Sequence, residues 1–172
     1  VLNVFKVARL LLIGDGPARP LLEKKISELG ITKSVVISGF VPHDSVPEYM
    51  SHLDVAVLPY PSLPKELWLS PLKLYEYMAA GKAIVASRAG QIAEVLDHGR
   101  TGYLVEAGDT RELSSALIHL LRDPLRRNTF GENARRKALA EHSWDRYIVR
   151  LEEVYRSVIE QASRSGSQTI TN

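Results

Sequence analysis

The sequence RLLLIGDGP, residues 9 to 17, decides the fold because it joins an apolar strand to a glycine turn. Residues 10–13 form an uninterrupted apolar run, which is typical of a strand buried on both faces of a sheet. Gly14-Asp15-Gly16 ends that run, and Pro17 suits the first turn of a helix that is predicted to reach about Leu29. The stretch therefore predicts the first strand–turn–helix unit of an α/β fold.

The same unit recurs along the 172 residues of the chain. Further strands are predicted at residues 34–38, 54–58, 83–86 and 102–105, and short helices at 45–53 and 92–96, the former capped by Ser45 with Glu48 in capping-box position. Beyond Val105 the pattern is helical: Asp109 caps one helix with Glu112 at its box position, residues 124–140 form a second, and Ser143 caps a third. The order predicts a Rossmann-like parallel sheet with helices on both faces, followed by C-terminal helices.

Composition limits the class of protein. Hydrophobic residues make up 45% and charged residues 24%, as in ordinary globular proteins, and the formal net charge of +2 gives no argument for nucleic acid. The chain has no cysteine, so disulfides and thiolate metal sites are excluded. No apolar run reaches the length of about 18 residues that a membrane span needs. Because Val1 opens almost directly on the first strand, we expect a piece of a longer chain.

Ligands of such a sheet lie where the carboxyl ends of the strands meet the amino ends of helices. The loops expected at that edge hold Gly14 and Gly16, then Gly39-Phe40-Val41, then residues 59–71 and 88–91. Glycine lets a backbone approach a ligand closely, and helix amino termini offer free N–H groups to phosphate. The sequence therefore predicts a phosphate-bearing ligand at this edge.

The stretch SPLKLYEYMAAG, residues 70–81, carries the chemistry that such a ligand needs. Ser70-Pro71 precedes a helix whose first free N–H groups are predicted at Leu72, Lys73 and Leu74. Lys73 has the wrong charge for a helix amino end unless it balances an anion, and Glu76 could accept hydrogen bonds from two ribose hydroxyls. The alternative is that Lys73 and Glu76 form a surface pair with i,i+3 spacing.

In this order the motifs resemble the C-terminal domain of retaining glycosyltransferases of family 4, the glycosyl transferases group 1 family. The resemblance covers residues 9–124 nearly without a break, and HSWDRYIVRLEEVY fits as well. The supporting stretches are LLLIGDGPARPLLEKKISELG, VVISGFVPHDSVPEYMSHLDVAVLPYPS, SPLKLYEYMAAGKAIVAS and GQIAEVLDHGRTGYLVEAGDTRELSSALIHLLRDP. The resemblance implies the GT-B fold, in which this half binds a nucleotide-diphosphate sugar and an N-terminal domain binds the acceptor.

The resemblance also implies roles for individual residues. Glu76 matches the glutamate that binds the ribose hydroxyls, and Glu94 matches a glutamate whose role we interpret as mainly structural. The remaining matches lie in loops and helix starts: Gly14 and Gly16 beside the nucleotide, Gly39, Phe40 and Val41 at the base, and Ser70, Leu72 and Lys73 at the diphosphate. No metal and no separate cofactor are implied, and no catalytic residue is assigned.

Three departures from the family pattern limit these expectations. Trp68 stands eight residues before Glu76, where the family has the glutamate that touches the transferred sugar, and Glu66 is two residues out of register. The Gly-Gly pair before Glu94 is Gly90-Gln91. The Gly-Arg turn and Lys-Gly segment that hold donor phosphates in the family are absent. We therefore expect this piece to be inactive alone, while its parent enzyme is active.

Predicted domain boundaries follow from this resemblance. Residues 1–142 are expected to form an N-terminally truncated donor-binding domain, residues 143–162 a crossover helix, and residues 163–172 a flexible tail. The apolar stripe that begins at Trp144 is expected to pack in the core, against another domain or against a second copy of the chain. We expect a cytoplasmic protein of polysaccharide biosynthesis.

Other functions were weighed against this one. A nicotinamide-dependent enzyme is disfavoured, because GDGPARP fails the G-x-G-x-x-G order and no acid ends the second strand. A nucleotide-sugar epimerase and a degenerate, non-catalytic donor domain remain as alternatives. The five histidines lack metal-ligand spacing. The basic run from Arg122 to Lys137 is interpreted as a solvated helix face, with contact to an anionic membrane as the minority alternative.

Overall fold

Parallel strands and seven α-helices make up the part of the chain that the computed structural model describes, which is residues 1–62 and 71–167, with side chains to residue 162. The strands are β1 (Leu10–Leu12), β2 (Val35–Ile37), β3 (Val55–Leu58), β4 (Ala83–Ser87) and β5 (Gly102–Val105). The helices are α1 (Arg19–Glu28), α2 (Val46–Ser51), α3 (Leu72–Ala79), α4 (Gly90–Val95), α5 (Thr110–Arg122), α6 (Pro124–Glu141) and α7 (Trp144–Ser167). Short 3₁₀ turns precede β2 and α2, at Thr32–Ser34 and His43–Ser45.

The predicted parallel α/β architecture is confirmed, and its strands pair in two groups. β1 pairs with β2, and β4 lies between β3 and β5. Alternate residues of β4 point to opposite faces, and both faces are covered. Ile84 and Ala86 pack in a cluster with side chains of α3, α4 and α6, whereas Val85 packs with side chains of α5 and α6. Helices thus cover both faces of this sheet, as predicted.

The expectation that the first strand is buried on both faces is wrong. Leu10 is 47% exposed and Val36 of the neighbouring strand is 51% exposed. No residue of β1, β2 or α1 is fully buried. An apolar run predicts that its side chains favour burial. A strand is buried only where other elements cover it, and among the described residues too few side chains pack on β1 and β2.

Helix starts show which local signals operate in the folded chain. Asp109 caps α5 as predicted, since its side chain accepts hydrogen bonds from the amides of Arg111 and Glu112. Glu112, which was predicted at the capping-box position, instead accepts a hydrogen bond from the amide of Glu106. Ser45 makes no side-chain capping bond, so that prediction is wrong. Its backbone is helical (φ −90°, ψ −15°) because a 3₁₀ turn precedes it, whereas a capping residue needs an extended backbone.

The last helix extends beyond its predicted end at residue 162. α7 begins after Ser143, whose hydroxyl accepts a hydrogen bond of 3.4 Å from the amide of Arg146, and it continues to Ser167. The apolar stripe is exposed: Trp144 has 76% of its surface accessible. Among the described residues no helix has both the length and the apolar character to cross a membrane.

Candidate functional site

Two of the predicted glycine loops meet at the carboxyl ends of β1 and β2. The amide of Gly14 donates to the carbonyl oxygen of Gly39 at 3.1 Å and lies 3.2 Å from the hydroxyl oxygen of Ser38. Gly14 has φ +128° and Gly39 has φ +72°, conformations that strain other residues. The backbone conformation therefore explains both glycines, and the first two candidate loops form one continuous surface.

A charged cluster at this junction was not predicted from the sequence. Asp15 accepts a 2.8 Å hydrogen bond from the amide of Gly16 and a 2.9 Å bond from the Arg19 guanidinium, which also contacts Glu23. The hydrogen bond from the Gly16 amide has the larger effect and the hydrogen bond from Arg19 the next, and together they hold the pKa of Asp15 below its usual value. The Gly16 amide is therefore already engaged, and the cation nearest Gly39 is neutralised by two carboxylates.

The side chains that follow Gly39 lie open to solvent. The ring of Phe40 is 82% exposed, whereas Val41 is half-buried. Phe40 was predicted to contribute backbone to a nucleotide base, and its exposed ring adds a flat apolar face beside that backbone. The Phe40 ring is therefore accessible to solvent, whereas Gly39 itself is buried.

The amino end of α3 has two backbone donors without a partner among the described residues. Pro71 precedes the helix in an extended conformation, and no side chain of the described residues caps it. The amide of Leu74 donates to the carbonyl oxygen of Pro71 at 2.9 Å, so the prediction that this N–H is free is wrong. Among the described residues the amides of Leu72 and Lys73 have no partner. Because α3 is connected from the carboxyl end of β3 and runs back along the sheet, its amino end lies at the candidate edge.

Lys73 and Glu76 form the surface pair that the alternative interpretation predicted. The Lys73 Nζ and Glu76 Oε2 atoms are 3.9 Å apart, and the two side chains are 61% and 32% exposed. An exposed pair of this kind contributes only about 0.2–0.5 kcal/mol. The pair is thus easily separated, and the ligand contacts predicted for these residues stay predictions.

Ser87 ties together the loops that follow β3, β4 and β5, and the sequence analysis missed it. Its hydroxyl is buried, accepts a 2.8 Å hydrogen bond from the amide of Tyr60 and lies 3.2 Å from the Tyr60 carbonyl oxygen. That carbonyl also accepts from the amide of Gly108 at 3.0 Å. A serine at the end of an apolar strand carried no signal, because its partners lie 27 residues away.

Gly90-Gln91, which stands where the family pattern has a Gly-Gly pair, places a polar side chain in a buried position. Gly90 has φ +46° at the start of α4, and the side-chain oxygen of Gln91 is buried without a hydrogen-bond partner among the described residues. Glu94, whose role was interpreted as structural, is exposed on α4, and its side chain makes no hydrogen bond or ion pair with the described residues. That interpretation of Glu94 gains no support.

Several predicted positions lie outside the described residues. Ser70, a candidate diphosphate contact, is among them. So are Trp68, the main departure from the family pattern, and Glu66. Within the described part of the chain, no group of three or more histidine, aspartate or glutamate side chains could hold a metal ion.

The basic run is exposed to solvent at Arg122, Arg126, Arg135 and Arg136, as the sequence interpretation expected, whereas Arg127 and Lys137 are mostly covered. Four of its cationic side chains form hydrogen bonds or ion pairs with other residues of the chain. Arg126 contacts Asp123 and the Tyr103 hydroxyl, Arg127 contacts Asp54 and carbonyl oxygens at the end of α5, Arg135 donates to the Ala79 carbonyl, and Lys137 pairs with Asp97. These bonds attach α6 to the neighbouring elements and weaken the case for a membrane-binding patch.

Parallel strands, covering helices and glycine loops at one edge define a Rossmann-like α/β domain. The sequence model of the family described as Glycosyl transferases group 1 matches residues 2–123. The chain therefore belongs to the glycosyl transferases group 1 family.

A similar curated protein is the N-acetyl-alpha-D-glucosaminyl L-malate synthase of Bacillus anthracis. The two are 34% identical over 152 residues, which are 88% of this chain and 38% of that protein. The chain thus spans less than two fifths of the length of this relative.

Solved structures agree on the fold. Sucrose-phosphate synthase from Thermosynechococcus elongatus superposes with a TM-score of 0.78 at 26% identity, over 89% of this chain and 39% of that one. The C-terminal domain of a glycosyl transferase group 1 family protein from Francisella tularensis gives 0.70 at 23% identity, over 83% of this chain and 74% of that one. The predicted identity as a GT-B glycosyltransferase C-terminal domain is confirmed.

Proposed function

We propose that this chain is the donor-binding half of a retaining glycosyltransferase and binds a nucleotide-diphosphate sugar at the carboxyl edge of its strands. The parent enzyme would transfer the glycosyl group to a sugar or lipid-linked acceptor held by an N-terminal domain. Membership of the glycosyl transferases group 1 family supports the reaction class. The observation that carries the proposal is the amino end of α3, where two amides have no partner among the described residues and a lysine and a glutamate lie close by.

The diphosphate is proposed to lie against the first turn of α3. The amides of Leu72 and Lys73 point out of the helix end, where the helix dipole favours an anion. The Lys73 ammonium is 3.9 Å from Glu76 and 61% exposed, so it can turn to a phosphate at little cost. Ser70 remains a predicted contact to the same group.

Glu76 is proposed to bind the ribose hydroxyls once Lys73 turns to the phosphate. A carboxylate that accepts two hydroxyl hydrogen bonds forms charge-assisted bonds, which are stronger than bonds between neutral groups. The exchange replaces a surface ion pair worth a few tenths of a kcal/mol with such bonds. The ligand-free pair is therefore compatible with a ribose-binding role.

The joined loops of Gly14 and Gly39 are proposed to hold the nucleoside. Gly16, Phe40 and Val41 border this surface, and the exposed Phe40 ring offers an apolar face to a base. Because backbone groups would bind the base, the residues leave uridine, guanosine and adenosine open.

Chemically, transfer breaks the bond between the anomeric carbon and the diphosphate and forms a bond to an acceptor hydroxyl oxygen. The leaving nucleoside diphosphate gains negative charge, which the helix end and Lys73 would stabilise. The hydroxyl proton passes to a phosphate oxygen of the departing diphosphate or to water as the new bond forms. No described residue is assigned as the base that takes it.

Saturation-transfer NMR with UDP-glucose, GDP-mannose and ADP-glucose tests the proposal. We expect one base class to bind, and Glu76→Ala to weaken that binding about ten-fold, because a charged hydrogen-bond acceptor is lost. Glu94→Ala is the matched control: it removes an exposed, unpaired glutamate from α4 and should leave the affinity unchanged.

One outcome would count against the role of Glu76 and another against the transferase activity. Equal weakening by both alanine variants would mean that Glu76 has no specific role. Binding of a sugar nucleotide without any turnover in the full-length enzyme would favour the degenerate, non-catalytic alternative. The expected cytoplasmic location, the polysaccharide pathway and self-association through α7 stay predictions.

A further inference from the structure

The helix that carries the donor residues is held in place by α6. Arg135 on α6 donates a hydrogen bond to the carbonyl oxygen of Ala79 at the carboxyl end of α3. Gly131 on α6 lies so close to Gly81, just after α3, that a Cβ atom there would overlap the Gly81 carbonyl oxygen. The position of α3 is therefore set by α6 rather than by the sheet alone.

A third contact reaches the donor end of α3. The ring of Tyr75 and the ring of His142 have centroids 5.1 Å apart with an interplanar angle of 55°. Tyr75 directly precedes Glu76 and is two residues after Lys73. Loss of this ring contact would remove a packing interaction from the part of α3 that carries both candidate ligand residues.

His142 occupies the junction between α6 and α7. It ends α6, where its amide donates to the Ala138 carbonyl oxygen at 2.9 Å. The Nε2 atom is buried and has no hydrogen-bond partner among the described residues. Its nearest carboxylate oxygen, on Glu141, is 3.9 Å away, which is too far for a hydrogen bond.

The surroundings of His142 favour the neutral imidazole. Burial lowers the pKa of His142; the Glu141 carboxylate raises it, and the Lys137 and Arg150 cations lower it further. These groups belong to α6 and α7, while α3 presents the Tyr75 ring. A proton on this imidazole would place a charge in a site that disfavours it, and the ring would move toward water.

We propose that His142 is a positioning residue for the donor site, which acts through Tyr75, and that protonation of its imidazole weakens donor binding. The inference depends on the proposed function for its ligand. By linkage, donor binding that requires the packed neutral ring must itself oppose protonation of His142. Affinity therefore falls as the pH falls through the pKa of His142 in the folded chain, which burial holds below the ordinary histidine value of about 6.5.

The test compares affinities for UDP-glucose, GDP-mannose and ADP-glucose at about pH 7.5 and about pH 5.5, on either side of histidine titration. Their diphosphates are esterified at both ends and lack the terminal phosphate ionisation near pH 6. We expect the wild-type chain to bind more weakly at the lower pH, by less than the roughly ten-fold that a histidine with its ordinary pKa of about 6.5 would give at pH 5.5.

Two phenylalanine variants isolate the effect. His142→Phe keeps a ring against Tyr75 but cannot gain a proton, so its affinity should not change between the two pH values. His119→Phe changes an exposed histidine of α5 and should retain the wild-type pH dependence. If His142→Phe does not fold, His142→Gln, which is also uncharged at both pH values, replaces it.

A ligand-free readout separates this inference from the proposed function. In the wild-type chain, the amide NMR signals of Tyr75 and Glu76 should shift with pH as His142 titrates, and in His142→Phe they should not. Identical shifts in both proteins, or an unchanged pH dependence of affinity in His142→Phe, would overturn the inference. Absence of sugar-nucleotide binding at both pH values would overturn the proposed function and the binding role of His142. In that case the amide titration would still decide whether protonation of His142 is coupled to the position of α3.

Discussion

The two sheets of this chain have similar sequences and different surroundings. β1 reads LLL and β2 reads VVI, yet neither has a fully buried residue, whereas all five residues of β4, AIVAS, are buried. All buried members of the two core clusters lie between Ala56 and Ala138. The difference shows that strand hydrophobicity predicts which residues seek cover, while the number of covering helices determines which residues obtain it.

The largest difference between the two regions is expected at glycines. Gly131→Ala places a Cβ against the backbone of Gly81, which no side-chain rotation can relieve, and should destabilise the chain by about 3 kcal/mol. Gly16→Ala, near β1, meets nothing within 4 Å and has no positive φ. It should change stability by less than about 0.5 kcal/mol. Urea unfolding of both variants measures the difference, and equal losses would contradict the close approach of α6.

A smaller difference is expected for a valine in each sheet. Val85→Ala in β4 removes two methyl groups from a side chain that is 0% exposed and should cost about 2–3 kcal/mol. Val36→Ala in β2, where the side chain is 51% exposed, should cost less than about 1 kcal/mol. The measurement is the free energy of unfolding in urea. A cost at Val36 as large as that at Val85 would show that β2 is covered in solution.

Loss of the residue before a helix should lower the free energy of unfolding by about 1 kcal/mol at α5 and by almost nothing at α2. Asp109→Ala removes a side chain that accepts from two amides of α5, so we expect a loss of about 1 kcal/mol. Ser45→Ala removes no capping bond from α2 and should be nearly neutral. Thermal unfolding monitored by circular dichroism compares the two. A clear loss for Ser45→Ala would mean that its hydroxyl caps α2 in solution.

The smallest expected effects are changes of stability with pH. His142 and Asp15, which lie in different parts of the chain, should contribute over different pH ranges. The lowered pKa of His142 means that the unfolded chain binds its proton more readily, so this contribution to stability is lost as the pH falls below about 6.5. The lowered pKa of Asp15 acts only near and below its ordinary value of 3.8. His142→Phe should therefore flatten the stability profile in the upper range and Asp15→Asn only in the lower range. A His142→Phe profile that still falls between about pH 6.5 and about pH 5 would contradict this assignment.

Much of the candidate site was predictable because it depends on local chemistry. Glycine turns, the Ser-Pro helix start and the Lys73–Glu76 spacing are properties of neighbouring residues. Gly14 and Gly39 were predicted separately, and the hydrogen bond between their loops follows from the parallel pairing of β1 with β2. Ser87 and His142 could not be predicted, since their partners are far away in sequence and their residue types carry no specific signal.

By itself the sequence determined the order of strands and helices, the parallel α/β class and membership of the glycosyltransferase family. These depend on apolar periodicity, turn residues and ordered motifs, which are all local. Only the tertiary structure decided that three cations of α6, Arg127, Arg135 and Lys137, bind other elements, and that β4 rather than β1 lies in the core. The physical reason is that burial and hydrogen-bond partnership depend on which distant groups pack together, and no residue carries that information alone.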